Sequence, residues 1–96
     1  MQFIMSLTRT DQGRRNIKDT AKRVQGAREL GKKMGVELEH VFFTSGDTDI
    51  VSIVNAANGD NVAKYVLALG ALGNVSTRTV RAWSEAEFLK IVSELP

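Results

Sequence analysis

Cysteine is absent from the 96-residue chain, histidine and tryptophan each occur once, and there is a single proline. Without cysteine there can be no disulfide, no thiolate nucleophile and no cysteine–zinc site. One histidine with no cysteine is also a poor basis for a catalytic transition-metal centre. No apolar run approaches the ~18–20 residues of a membrane span. The opening Met1-Gln2-Phe3-Ile4-Met5 has neither a basic lead nor a long apolar stretch, so no secretory signal and a cytoplasmic location are expected. Phosphate-cradling loops are missing too. Gly70-Ala71-Leu72-Gly73 has neither the Gly-x-Gly-x-x-Gly spacing nor a Gly-Lys-Ser/Thr ending, so no metal and no cofactor are expected. What remains, 43% apolar and 25% charged residues, describes one folded domain over residues 1–96 rather than a disordered chain.

Charge is unevenly placed. The net charge is +2, but residues 1–33 hold nine of the 13 basic residues against only Asp11, Asp19 and Glu29. That third carries +6, and residues 34–96 carry −4. Such polarity suits attraction of a polyanion or the meeting of unlike faces of two subunits. A solvated helix with lysines outward explains it equally well.

Periodicity orders the elements. Phe3, Met5 and Leu7 alternate with Ile4, Ser6 and Thr8 as a strand. Thr10-Asp11 caps a short helical turn over 11–18, and Asp19-Thr20 a main helix over 20–34 with a stripe of Ala21, Val24, Ala27, Leu30 or Gly31, and Met34. Residues 36–44 and 50–54 read as a hairpin around Ser45-Gly46-Asp47-Thr48. Asn58 or Asp60 caps a helix that Gly73-Asn74 ends, Val75–Val80 is a fourth strand, and Ser84-Glu85-Ala86-Glu87 is a capping box for a last helix. The order β-α-β-β-α-β-α predicts an α+β, ferredoxin-like fold with a four-stranded antiparallel sheet and an extra C-terminal helix. Apolar residues occur at both parities of the strands, so both sheet faces should be covered. A second copy of the chain is the expected cover, as a homodimer or higher homo-oligomer.

Thr10-Asp11-Gln12-Gly13 with Asn16-Ile17-Lys18-Asp19, the hairpin Thr44–Asp49, and Leu69-Gly70-Ala71-Leu72-Gly73-Asn74-Val75 followed by Thr77, Thr79, Arg81-Ala82 and Glu87-Phe88 resemble the small GYD-domain proteins over nearly the whole chain. The motif tyrosine is Thr48 here, with Gly46 and Asp49 kept. The resemblance implies a ferredoxin-like domain of the dimeric α/β-barrel type, mostly bacterial, with no agreed activity to carry over.

Four residues are candidates for a small anionic ligand. His40 is the sole histidine and by alternation shares a face with Leu38 and Phe42. Asp49, with Asp47 at the same turn, offers carboxylates that turn geometry also explains. Arg81 follows Thr77 and Thr79 on one face of the fourth strand and precedes Trp83, which reads as a packing anchor. Arg14 stands with Arg15 and Lys18 near a helix start. Two readings follow: an oligomeric binding or assembly module, or a cofactor-independent enzyme, monooxygenase-like or decarboxylase-like, acting in a cavity between subunits. The sequence argues against nucleic acid, because residues 50–55 carry no aromatic for base stacking.

Overall fold

Thr10, Asn58 and Ser84 each end an extended segment and start a helix by one device. The side-chain oxygen of each accepts the backbone N–H three residues on. The capped helices are α1 (Asp11–Arg15), α3 (Gly59–Ala71) and α4 (Glu85–Ser93), and α4 has the full reciprocal capping box between Ser84 and Glu87. The longest helix, α2 (Thr20–Lys33), lacks such a cap. A 3₁₀ turn over Ile17–Asp19 leads into it. Asp19 has φ −87° and ψ 10° rather than extended backbone, so its carboxylate cannot reach back to the first turn and lies 3.8 Å from Arg23 instead.

The computed structural model describes the whole chain, Met1–Pro96. Strands β1 (Gln2–Arg9), β2 (Val36–Phe43), β3 (Ile50–Ala56) and β4 (Val75–Ala82) form one antiparallel sheet in the order β2-β3-β1-β4. This is the ferredoxin-like arrangement predicted from the element order. The core lies between the sheet and the helices, where Phe3, Met5 and Leu7 of β1 and Val54 of β3 meet Val62, Tyr65 and Leu69 of α3. Those three α3 residues sit on one stripe, at steps of three and four.

Helix α2 is held differently. Only Gly31 of its residues is buried, and the expected stripe is half-buried at Val24, Ala27, Leu30 and Met34 and exposed at Ala21. A Cβ at Gly31 would lie 2.6 Å from the Val36 carbonyl oxygen, so its C-terminal turns sit tightly on β2. Tyr65 Oη donates to the Ala27 carbonyl at 2.9 Å, and Arg28 to that of Leu38 at 2.7 Å. Val24, Ala27 and Leu30 leave a groove between α2 and the sheet.

A β-bulge between Leu38 and His40 corrects the expected alternation along β2. One extra residue reverses the parity beyond it. Leu38 faces the core, whereas His40 and Phe42 face outward opposite Ile53 and Val51. The outer sheet face is bare: Ile4, Phe42 and Val80 are 36%, 53% and 61% exposed. The terminal helix leaves it so. No strand or helix packs substantially on α4, and its Phe88, Leu89, Ile91 and Val92 are all exposed.

Candidate functional site

The residues that carried the family resemblance meet in space. Thr10 donates its backbone N–H to the Asn74 carbonyl at 3.0 Å and its hydroxyl to the Gly73 carbonyl at 2.6 Å. Gln12 Nε2 donates to the Leu72 carbonyl at 3.1 Å and to Asn74 Oδ1 at 3.0 Å. Gly13 is buried against Asn74 with no room for a Cβ, and Gly73 turns the chain at φ +84°. Two segments some sixty residues apart thus form one latch joining β1–α1 to α3–β4. Asp49 serves a second stitch. Its Oδ2 accepts the Arg9 backbone N–H at 2.8 Å, while its own N–H donates to the Leu7 carbonyl at 3.0 Å. The hairpin is therefore tied to the end of β1, with Gly46 at φ +112° making its turn.

Of the four candidate residues only Asp49 and Arg14 are brought near one another, by bonding the N–H and the carbonyl of Arg9 respectively. His40 lies exposed on the outer face of edge strand β2, stacked on Phe42 with ring centroids 6.0 Å apart. Arg81 lies on the helix-facing side of β4, the other edge, in register with Phe3. Its guanidinium sits between the Phe3 and Trp83 rings, 5.9 and 4.6 Å from their centroids. It donates to the Gln2 and Ala82 carbonyls and pairs with Glu87 at 3.9 Å, so it tethers the start of α4 to the sheet. Thr79 Oγ1 is buried nearby without a partner. Arg14 donates to Asp11 at 2.6 Å and to the Arg9 carbonyl at 3.2 Å. No three His, Asp or Glu side chains gather as a metal site.

Glu87 is held below the ordinary carboxylate range, first by the Ser84 backbone N–H and then by the Ser84 hydroxyl. Tyr65 moves the other way: burial pushes its phenol up to about 12, against a smaller opposing pull from Arg28. Neither group titrates near neutrality, so both serve as structural groups rather than acid–base groups.

Two surfaces remain open. One is the outer sheet face with the apolar side of α4. The other is a groove of about 490 Å³ beneath α2, within the range of small-molecule pockets. Its roof is Val24, Ala27 and Leu30, and its floor includes Leu38, Ile50 and Leu69. The sequence reading missed its most unusual member, Arg9, which lines this groove with only 19% of its side chain exposed. The signal was available: 3, 5, 7 and 9 share one parity, so the inward series of β1 ends on a cation.

A family model of the GYD domain matches residues 3–92. A Thermus thermophilus protein described as "Glutamine synthetase and cystathionine beta-lyase binding protein" is 30% identical over 88 residues, covering 91% of this chain and 93% of that one. The crystal structure of MtbAldR is similar in fold, with a TM-score of 0.68 and 19% identity. That likeness covers 88% of this chain, which spans 52% of the MtbAldR chain. No helix is long and apolar enough to cross a membrane.

Proposed function

The chain belongs to the GYD-domain family, and from that premise we propose that it is a small protein-binding module that assembles with itself through its outer sheet face, in the dimeric α/β-barrel manner, and presents its basic α1–α2 side to an enzyme. The observation that carries the self-assembly is the bare apolar face. Ile4, Phe42, Val51, Ile53 and Val80 occupy one side of four adjacent strands, and no element of the same chain covers them. Burying a large apolar side chain contributes about 1.5–3 kcal/mol, so a face of this size favours a second copy over water. The unattached apolar side of α4 adds to the same surface. The relative from Thermus thermophilus supports the class of partner, a metabolic enzyme such as glutamine synthetase. The surplus of positive charge over residues 1–33 would steer an acidic partner to α1 and α2.

An enzymatic role has less support. His40 and Arg81 lie on opposite faces and opposite edges of the sheet, and Arg81 and Asp49 are already engaged in holding the fold.

Native mass spectrometry tests the assembly. The wild-type chain should be a dimer or a larger closed oligomer, and Val80→Glu and Phe42→Glu should release folded monomers. A monomeric wild type would overturn the reading. For the partner, purified glutamine synthetase from the same host should be retained by the immobilised protein, more weakly as salt is raised. Retention that ignores salt and survives Lys22→Glu with Arg15→Glu would refute the basic-side docking.

A further inference from the structure

Arg9 is the anomaly of this molecule. The other partly buried arginines, Arg23, Arg28 and Arg81, each donate to a backbone carbonyl. Arg9 does not. Its guanidinium reaches no closer than 3.8 Å to Asp49, beyond hydrogen-bond range. Asp49 spends its good contact on the Arg9 backbone N–H instead. None of its five N–H donors reaches a protein acceptor, and with a fifth of the side chain exposed they are left to solvent or to a ligand in the groove. A half-buried guanidinium whose donors the protein leaves unused can offer them to a ligand anion beside its long ion pair to Asp49.

The surroundings define what that something is. Arg9 lines the groove beneath α2, whose four charged lining residues are Arg9, Arg23, Lys33 and Glu29, three of them cationic. The rest of the lining is mainly apolar, and Phe43 places its ring 6.0 Å from the Arg9 guanidinium. Ser52, only 3% exposed, also lines the groove. A mainly apolar groove lined by a guanidinium whose N–H donors the protein leaves unused fits a molecule with an apolar body and one acidic end. A planar carboxylate can also accept two parallel N–H donors from one guanidinium.

We propose that the groove beneath α2 is a binding site for an amphipathic organic anion, with the carboxylate on Arg9 and the apolar body under Val24, Ala27 and Leu30. The site lies within one chain and on the helix side of the sheet. It is therefore independent of assembly through the outer face.

The test uses decanoate as the probe, followed by amide resonances of the isotopically labelled protein, with 1-decanol and inorganic phosphate as comparisons. Decanoate should bind saturably and shift Val24, Ala27, Phe43 and Ser52, but not Ile4 or Val80. Decanol should bind roughly ten- to a hundredfold more weakly, as loss of a charge-assisted hydrogen bond requires, and phosphate alone should not bind detectably. Arg9→Gln should weaken decanoate by a similar factor while leaving decanol unchanged. Val24→Trp, which fills the roof without touching Arg9, should block both, so the site remains testable if Arg9→Gln fails to fold. Equal affinity for decanoate and decanol, or shifts centred on the outer face and α4, would overturn the proposal.

Discussion

Adding one methyl group at Gly13 tests the latch between the β1–α1 and α3–β4 connections. A Cβ there would stand 2.1 Å from the Asn74 carbonyl oxygen and 3.1 Å from its carbon. Both are backbone atoms, so no side chain can rotate away and the connection must retreat by roughly 1 Å or more. Retreat stretches the bonds that Asn74, Gly73 and Leu72 accept from Thr10 and Gln12. Losing two or three hydrogen bonds at about 0.5–1.5 kcal/mol each costs about 1–4 kcal/mol. Alanine's better helix propensity in α1 returns at most about 1 kcal/mol. The net effect of Gly13→Ala is thus a loss of up to about 4 kcal/mol, which lowers the melting temperature of a domain this size by as much as roughly 20–30 °C. Gly26→Ala is the control, being the same chemical change in the middle of α2 with nothing within 4 Å. It should stabilise by about 0.5–1 kcal/mol through helix propensity alone. Thermal unfolding followed by far-UV circular dichroism reads both. A Gly13→Ala protein that melts at or above the wild type would refute the argument that this contact is tight.

Two further predictions follow from titrating groups. The folded-state phenol of Tyr65 is raised to about 12 from 10.0, so its contribution is complete below pH 10 and is lost as pH rises toward 12. At 1.36 kcal/mol per unit the loss amounts to about 2–3 kcal/mol. Tyr65→Phe should flatten this alkaline limb, at a neutral-pH cost of about 0.5–1.5 kcal/mol for the bond to Ala27; identical alkaline limbs in the two proteins would contradict the burial argument. Glu87 has the opposite sign. Its folded value is lowered, so its support of α4 is present above the ordinary carboxylate value and fades as pH falls through the lowered one. Carbon chemical shifts of α4 should record fraying in acid. Glu87→Gln should remove that pH dependence, and Ser84→Ala should fray the helix at every pH, by about 1 kcal/mol.

The elements were legible in the sequence because their causes are local, although the expected Asp19 cap does not form and the first helical turn ends at Arg15. Thr10, Asn58 and Ser84 cap within three residues of themselves, and strand alternation repeats every two. The order of the elements then leaves little topological freedom, so the ferredoxin-like sheet followed. The resemblance of Thr10–Gly13 and Leu69–Val75 to the GYD family was legible too. That these two segments hold each other was not, because nothing in either one encodes the distance to the other.

Tertiary structure decided the surfaces. The bulge at Leu38 and His40 moved the sole histidine to the outer face, a reversal that depends on pairing with β3 and leaves no trace in the alternation of β2. The apolar side of α4 and the two parities of the strands announced surfaces needing cover, but only the assembled sheet establishes that the chain leaves them bare. Arg9 is the sharpest case. Its inward parity could be read from Phe3, Met5 and Leu7. That its N–H donors stay unused by the protein could not, because that depends on the groove beneath α2 and on Asp49 bonding the backbone N–H rather than the guanidinium. Local periodicity dictates which way a side chain points, while the packing of distant elements dictates what it meets there.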